Sequence, residues 1–472
     1  MQTQTTSAKV LKTIGLGDLA GQGWNASLSF WSVLFMGFFL FGDQQLLAPN
    51  LSRIGADLGF PSEADYLWYI GSLPALLFFV IGGLMSLVIG IASDQMDRKR
   101  LLMFCVGLGE TCCLLTAFSQ NYSQFLLLRT MTGVGLGGFF PVLFSLIGDY
   151  FRPNNRATAA GWLEMSMGLG IGVGQVLGGF LAETEIAGMA GWRISFIIMA
   201  APSFPLLLVY AGFARLPRRG AAETVLSEVD AAAGELLLEN AAAHKVSAED
   251  FRRIFASRTN LLAIAQGIPG TVPWGFIFVY LVDFLEHTRG LPVEAATLLS
   301  LIFGVCSIFG GLVGGFLGRA VYQRNRALLP IFGAATIFFG SIPTFLLVNF
   351  DTTGVAQSTS LAILATACVI GGLTVSIAGV NIRAILINTN LPENRGSVFA
   401  VFNLADKLGM GFGPFLVGLL LLTGSRILAY NLAVGFWIPC AILWLLMART
   451  MVQDEDRVNE TLQQRARAMH GA

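Results

Sequence analysis

Long apolar runs recur along this chain, each about 20 residues or more, with short polar stretches between them. Within the runs apolar residues do not alternate with polar ones, so the pattern is not that of membrane strands. A run of this length crosses a hydrocarbon layer as a helix, with every backbone group satisfied inside the span. The pattern predicts twelve spans, near 27–48, 66–91, 101–119, 125–147, 157–182, 192–213, 260–282, 294–317, 327–349, 360–387, 396–422 and 428–448. Pro49 ends the first, and a loop is expected from there to about Asp65. The expected organisation is a polar tail (1–26), a six-helix bundle (27–214), a linker (215–259), a second six-helix bundle (260–448) and a tail (449–472). In the linker, Glu223 to Lys245 is Ala- and Glu-rich and suits a helix, and Ser247-Ala-Glu-Asp250 reads as a helix start. Phe251, Ile254 and Phe255 follow at helical spacing, as on a surface helix leading into span 7.

Charge gives the twelve spans an orientation. Twenty-two of the 29 Lys and Arg fall in the tails and even-numbered turns, four (Arg53, Arg193, Arg289, Arg426) in the odd-numbered turns, and three (Arg129, Arg383, Lys407) within spans. Basic residues concentrate on the cytoplasmic side, so both tails are expected there, in a plasma (inner) membrane. No compact apolar segment with a small-residue cleavage site opens the chain, so no cleaved signal peptide is expected. Composition agrees with the bilayer as solvent: 54% of residues are hydrophobic and only 12% charged. The six cysteines all fall in apolar runs and read as packing residues, without a disulfide framework. There is no phosphate-binding Gly-x-x-x-x-Gly-Lys loop, and the three histidines lie outside the spans. That argues against an ATP-driven pump, a membrane hydrolase and a His-based metal site.

The two halves repeat each other. Pro153-Asn-Asn-Arg156 returns as Pro392-Glu-Asn-Arg395, an offset of 239 that holds without a gap. Gly133 maps to Gly372, and Gly170, Gly172 and Gly174 map to Gly409, Gly411 and Gly413. Two parallel six-helix bundles of this kind place a substrate site near mid-membrane, open alternately to each side.

Three stretches carry a family resemblance. Between spans 2 and 3 the chain reads Gly90, Asp94, then Arg98-Lys99-Arg100, with Gln95 and Asp97 as departures from the usual pattern. Span 4 holds Arg129-Thr-Met-Thr-Gly133. Span 5 holds Gly161, Gly170, Gly174-Gln175 and Gly178-Gly179, with Gln175 where a Pro is usual. Together these resemble the major facilitator superfamily of secondary transporters, across nearly the whole chain. The resemblance implies an all-α fold of twelve transmembrane helices in two pseudo-symmetric bundles, no enzymatic activity and no cofactor beyond a proton gradient. It makes Gly90, Asp94, Arg98 and Arg100 gating residues, with Gly170 and Gly174 a hinge contact. The span-5 pattern is similar to that of antiporters. Asp43 in an aromatic span 1, with Arg129 in span 4, is similar to spinster-like lipid transporters, although Gln44 and Leu136 depart from their pattern.

Charges inside spans are costly and need a reason. Asp43 and Arg129 fall at similar depth and read either as a static ion pair or as a protonation switch, neutral apart and charged together. Glu164 and Asp406 are further proton-coupling candidates. Glu110, in mid-span 3, reads as a protonated, structurally paired carboxyl. Asp406 is expected to meet Arg383. Phe39, Arg129, Gln266, Trp274, Asn381, Arg383 and Lys407 are the expected substrate residues, and Gln266, Pro269, Pro273 and Trp274 are expected to interrupt span 7 as a gating helix. The expected function is proton-coupled secondary transport, by alternating access, of an amphipathic or hydrophobic, lipid-like or drug-like solute by a monomer that binds no nucleic acid. The alternatives are a facilitator or symporter of a small organic anion, and a non-transporting receptor or scaffold.

Overall fold

Helix caps fall where the sequence offers them. In a computed structural model the Asp97 carboxylate accepts from the Lys99 amide (2.9 Å), Asn121 from Gln124 (3.0 Å) and the Ser257 hydroxyl from Asn260 (3.2 Å). Each satisfies an orphan N–H in a first helical turn. These caps open span 3 (Arg98–Thr116), span 4 (Tyr122–Tyr150) and span 7 (Arg258–Asp283). The structure describes residues 11, 16–151, 153–217, 255–390, 395–422 and 425–470. Most of the expected linker helix, from Glu223 through Ile254, lies outside them.

Among the described residues, ten helices are long and apolar enough to cross a membrane. Span 3 and span 5 (Pro153–Leu181) complete the twelve. These two are less apolar because span 3 opens with three cations and carries Glu110, while span 5 is Gly-rich and carries Glu164. A short antiparallel pair of strands, Glu185–Ile186 and Met189–Ala190, turns the chain between spans 5 and 6.

Several boundaries differ from the sequence reading. The stretch after Pro49, read as loop, contains a helix, Leu51–Asp57, which buries Leu51 and Ile54 at helical spacing. Span 2 starts at Glu63 and passes through a π-helical segment, Leu67–Ser72, before Leu73–Gln95. There Ser72 Oγ donates to the Leu67 carbonyl (3.1 Å), and so does the Tyr280 hydroxyl (2.7 Å). The widened turn is thereby satisfied from two sides. Spans 6, 10 and 12 are each two helices, parted near Pro202, Ser376 and Phe436. Span 7, expected to be interrupted at its prolines, runs as one helix with Pro269 and Pro273 inside it. Continuing past the last apolar run, Met451–His470 forms a helix where a tail was expected.

The described residues fall into two compact units. One draws on Met1–Leu47 and Ile81–Lys245, the other on Ala48–Val80 and Val246–Ala472. In the first, span 5 packs on span 1 (Trp24–Gln45) backbone to backbone. A Cβ on Gly170 would overlap the Phe38 carbonyl, and one on Gly174 the Gly42 carbonyl. In the second, Gly409 and Gly413 of span 11 (Arg395–Leu421) meet the Ile268 and Val272 carbonyls of span 7 in the same way. Small residues let helices approach this closely.

Candidate functional site

Span 1 ends at Gln45, so the carbonyl of Asp43 is one of the last four without a partner in the helix. Arg129 Nη1 donates to that carbonyl at 3.3 Å. A guanidinium at the negative end of a helix is stabilised there. Its other face lies 5.5 Å from the centroid of the Phe196 ring. The expected meeting of Asp43 and Arg129 therefore occurs, but its hydrogen bond goes to the Asp43 main chain. The Asp43 side chain is fully buried, and neither carboxyl oxygen has a hydrogen-bond partner. Its polar neighbours are Cys113, Glu110 and the Arg129 guanidinium.

Glu110, expected as a structurally paired carboxyl, belongs to the same cluster, a neighbour that the sequence reading did not name. It too is fully buried, and its Oε1 accepts from Ser203 Oγ of span 6 at 2.7 Å. Its Oε2 has no hydrogen-bond partner and the carboxyl faces Asp43. The signal available in the sequence was the cost of a carboxyl in mid-span; nothing local pointed to its neighbour on span 1. Glu164, by contrast, is exposed on span 5. Phe39 lines an apolar groove of ≈ 390 Å³ with Phe35, Pro202, Pro205, Leu206 and Val209.

The basic cluster after span 2 is spent on packing. Arg98 is buried and paired with Asp149 near the end of span 4. Lys99 Nζ donates to the carbonyls of Ala211 and Ala214, each at 2.8 Å, at the end of span 6. That places a cation on a helix C-terminus. Arg100 is exposed and 3.6 Å from Asp97. A Cβ on Gly90 would make only ordinary contact with Pro141. Asp94 belongs to the helix Leu73–Gln95, and its side chain lies outside the described residues.

In the second unit Asp406 lies beside Gly267, with Arg383 and Lys407 as its charged neighbours. The Lys407 ammonium lies 5.5 Å from the centroid of the Phe79 ring. Trp274 packs edge-on against Phe303 and Trp437. Gln266 is buried, its Oε1 accepting from Trp444 Nε1 at 3.1 Å and its Nε2 donating to the Ala263 carbonyl at 3.0 Å. Asn381 is buried as well and donates from Nδ2 to the Gly314 (3.1 Å) and Ile377 (2.8 Å) carbonyls. Its amide joins span 10 to span 8. At another place in this unit Arg426 gathers a polar hub, 2.6 Å from Glu63, 2.9 Å from Thr288 Oγ1 and ion-paired with Asp283. Arg53 and Glu286 pair beside it at 2.8 Å.

Buried charged residues of the two units, Asp43 and Arg129 in the first and Asp283 in the second, lie within apolar helices long enough to cross a membrane. The sequence profile of the Major Facilitator Superfamily matches residues 33–414, and the chain belongs to that superfamily. It is 26% identical to a putative metabolite transport protein of Haemophilus influenzae over 82% of this chain and 86% of the relative. It is also 26% identical to a gallate transporter of Pseudomonas putida, over 49% of this chain and 53% of that relative. Among solved structures, a bacterial homologue of the human lysosomal transporter spinster, inward-facing and unoccupied, superposes with a TM-score of 0.75. That match is 20% identical and covers 91% of this chain and 98% of the other. The protein is a multi-pass membrane transporter and not an enzyme.

Proposed function

We propose that the protein couples the alternating-access transport of an organic solute to protons, as a monomer with both tails cytoplasmic in the plasma (inner) membrane. The observation that carries this reading is the buried Asp43 carboxyl, with no hydrogen-bond partner and a guanidinium close by. A carboxylate in a dry span costs several kcal/mol unless it is compensated. Its charge is supported when Arg129 approaches and opposed when it withdraws, so a motion that changes their separation loads or releases a proton. The half-buried aromatic side chains, Phe39 in the first unit and Trp274 in the second, suit an amphipathic or hydrophobic solute. A second reading, a symporter or facilitator of a small organic anion, is favoured by the cations Arg383 and Lys407 beside Asp406 and by the gallate-transporting relative.

The test is uptake into proteoliposomes with and without an imposed pH gradient, using an uncharged amphiphile and an aromatic carboxylate as the two solute classes. Accumulation above equilibrium should require the gradient in the wild type. Asp43→Asn should abolish it while leaving exchange without a gradient, and Asp406→Asn should leave the gradient requirement in place. An Asp43→Asn protein that still concentrates solute with the wild-type pH profile sinks the assignment. The solute class that accumulates decides between the two readings.

A further inference from the structure

A piece of the first repeat is seated in the second unit. The chain leaves the first unit after Leu47 and rejoins it at Ile81, and the segment between, Ala48–Val80, belongs with Val246–Ala472. Inside span 2 the segment is docked by shape. Gly71 receives the Tyr280 ring and Gly418 receives Ser72, a Cβ on either glycine would overlap, and Ser72 Oγ lies 2.9 Å from the Pro414 carbonyl. At the rim it is docked by charge. Arg53, on the helix Leu51–Asp57, donates from Nη2 to Glu286 Oε1 (2.8 Å), and from Nη1 to Glu286 Oε2 (3.3 Å) and the Pro49 carbonyl (3.2 Å). Glu63, in the first turn of span 2, lies 2.6 Å from Arg426 Nε.

A histidine stands beside these pairs. His287 belongs to the short π-helical segment Phe284–Thr288 that follows span 7. Its Nδ1 is 3.2 Å from Asp283 Oδ1, 3.3 Å from the Asp283 carbonyl and 3.9 Å from Glu286 Oε2. Acceptors on every side require that nitrogen to carry its hydrogen. The side chain is 34% exposed, so solvent protons reach it. With twelve spans, this turn lies on the face opposite the tails. The Tyr66 ring of span 2 is 6.1 Å from the imidazole, and its hydroxyl is 3.5 Å from Arg426 Nη2. The other charged groups of the surrounding elements are Asp57, which is exposed, Asp65, which accepts from Ser62, Arg289, which donates to the Val348 carbonyl, and Glu294 in the first turn of span 8.

The two carboxylates treat their cations differently. At Asp283, Arg426 takes Oδ2 and His287 faces Oδ1. At Glu286, Arg53 Nη1 and His287 Nδ1 approach the same oxygen, Oε2. A neutral imidazole leaves that carboxylate to Arg53. A protonated one is a second cation at the same place, and what Arg53 gains there falls.

We propose that His287 is a proton-responsive release for this segment: protonated, it takes over Glu286 from Arg53 and loosens the hold of the second unit on Ala48–Val80. The step moves one proton from solvent to the imidazole and breaks no covalent bond. Because the segment is tethered to the first unit at both ends, movement of that unit draws on it. Its use in the transport cycle rests on the alternating-access reading; the release itself does not. Coupling is reciprocal, so a docked Arg53 makes His287 harder to protonate by the same factor.

Hydrogen exchange of the purified full-length protein tests the release, read on the peptide covering Leu51–Asp57 and corrected for intrinsic rates. Opening should rise roughly fivefold or more as the pH falls from about 8 to about 5. His287→Gln keeps a donor but takes no proton, and should stay slow throughout. Glu286→Gln should be fast throughout. Acid that slows or does not change opening in the wild type, or an acid step that survives in either variant, overturns the proposal. Nuclear magnetic resonance of histidine-labelled protein gives the reciprocal arm. The chain has three histidines, so the His287 signal is identified by its loss in His287→Gln. Arg53→Gln should move its titration midpoint to higher pH, and an unchanged or lowered midpoint also overturns the proposal. If these measurements fail while uptake still requires the gradient and Asp43, the release falls and the transport reading stands. If uptake ignores the gradient while the exchange and titration behave as expected, the reverse holds.

Discussion

The two repeats keep the same frame and spend it differently. In the first, Gly170 and Gly174 of span 5 sit on the carbonyls of Phe38 and Gly42. In the second, Gly409 and Gly413 of span 11 sit on those of Ile268 and Val272. The glycines keep the 239-residue offset and the carbonyls an offset of 230, so two helix pairs have been copied together with their contact. Gly109 against Gly135 likewise corresponds to Gly340 against Thr374. At these offsets Asp43 falls on Pro273, Glu110 on Ser341 and Arg129 on Cys368. None of the three counterparts carries a charge. Backbone proximity is common to both halves, whereas buried charged side chains at this place belong to the first alone. The difference separates what the fold requires from what the proposed coupling requires.

The comparison breaks most visibly at the glycines. Gly170→Leu and Gly409→Leu should do equal harm, because each drives a side chain into a backbone carbonyl of the neighbouring helix. Overpacking against rigid backbone costs about 3 kcal/mol or more, enough to remove most folded protein, as judged by size-exclusion yield and thermal melting. If one variant is tolerated and the other is not, the two contacts are not equivalent.

A smaller effect separates the helices that start the repeats. Span 1 begins after Gly23 without a side-chain cap, while span 7 begins at Ser257 with help from Asp454. Asp454→Ala should cost ~1 kcal/mol, as for a lost cap. The loss should appear as faster hydrogen exchange in the first turn of span 7, with span 1 unchanged. Equal loosening of both would mean that the cap is not local.

The smallest effect is one of pH, in the turn between spans 9 and 10. Bonds from the Thr353 hydroxyl (2.7 Å) and amide (2.9 Å) hold the Asp351 carboxyl below its ordinary range, with Arg289 contributing. A depressed carboxyl stabilises the fold above its ordinary range and loses that contribution as pH falls through its folded value. Acidification should therefore loosen the Thr353 amide in exchange measurements, and Thr353→Ala should blunt the dependence. The turn between spans 3 and 4 should not respond. It is held by Arg193, donating at 2.8 Å to the carbonyls of Ala117 and Ser119.

Much of this was legible in advance, for a physical reason. A lipid-crossing helix needs an unbroken apolar run, so the twelve spans and their repeat stand in the order of residues. The approach of Asp43 and Arg129 could be placed by depth, since rise per residue is constant. Depth says nothing about which face of a helix meets which neighbour. For that reason Glu110 read as a paired carboxyl with no partner named, and Asn381 as a substrate residue although its amide also donates to the carbonyls of Gly314 and Ile377. The pairing of Arg98 with Asp149 and the hub at Arg426 also join residues far apart in the chain. The helix Leu51–Asp57 was hidden because Pro49 and Asn50 mark a break, and a short helix after a break has too few turns to show a period.

The last described helix reaches back across the chain. Asp454 Oδ2 accepts from the Ser257 hydroxyl at 2.9 Å and from the Thr259 amide at 3.1 Å, and Thr259 Oγ1 donates to Thr450 Oγ1 at 2.9 Å. Asp454 follows Thr259 by 195 residues. During synthesis, at roughly 5–20 residues per second, span 7 enters the membrane on the order of ten to forty seconds before its last amide partner exists. For that interval its first turn stays open to water or to a chaperone, and elongation through Asp454 supplies the residue that closes it.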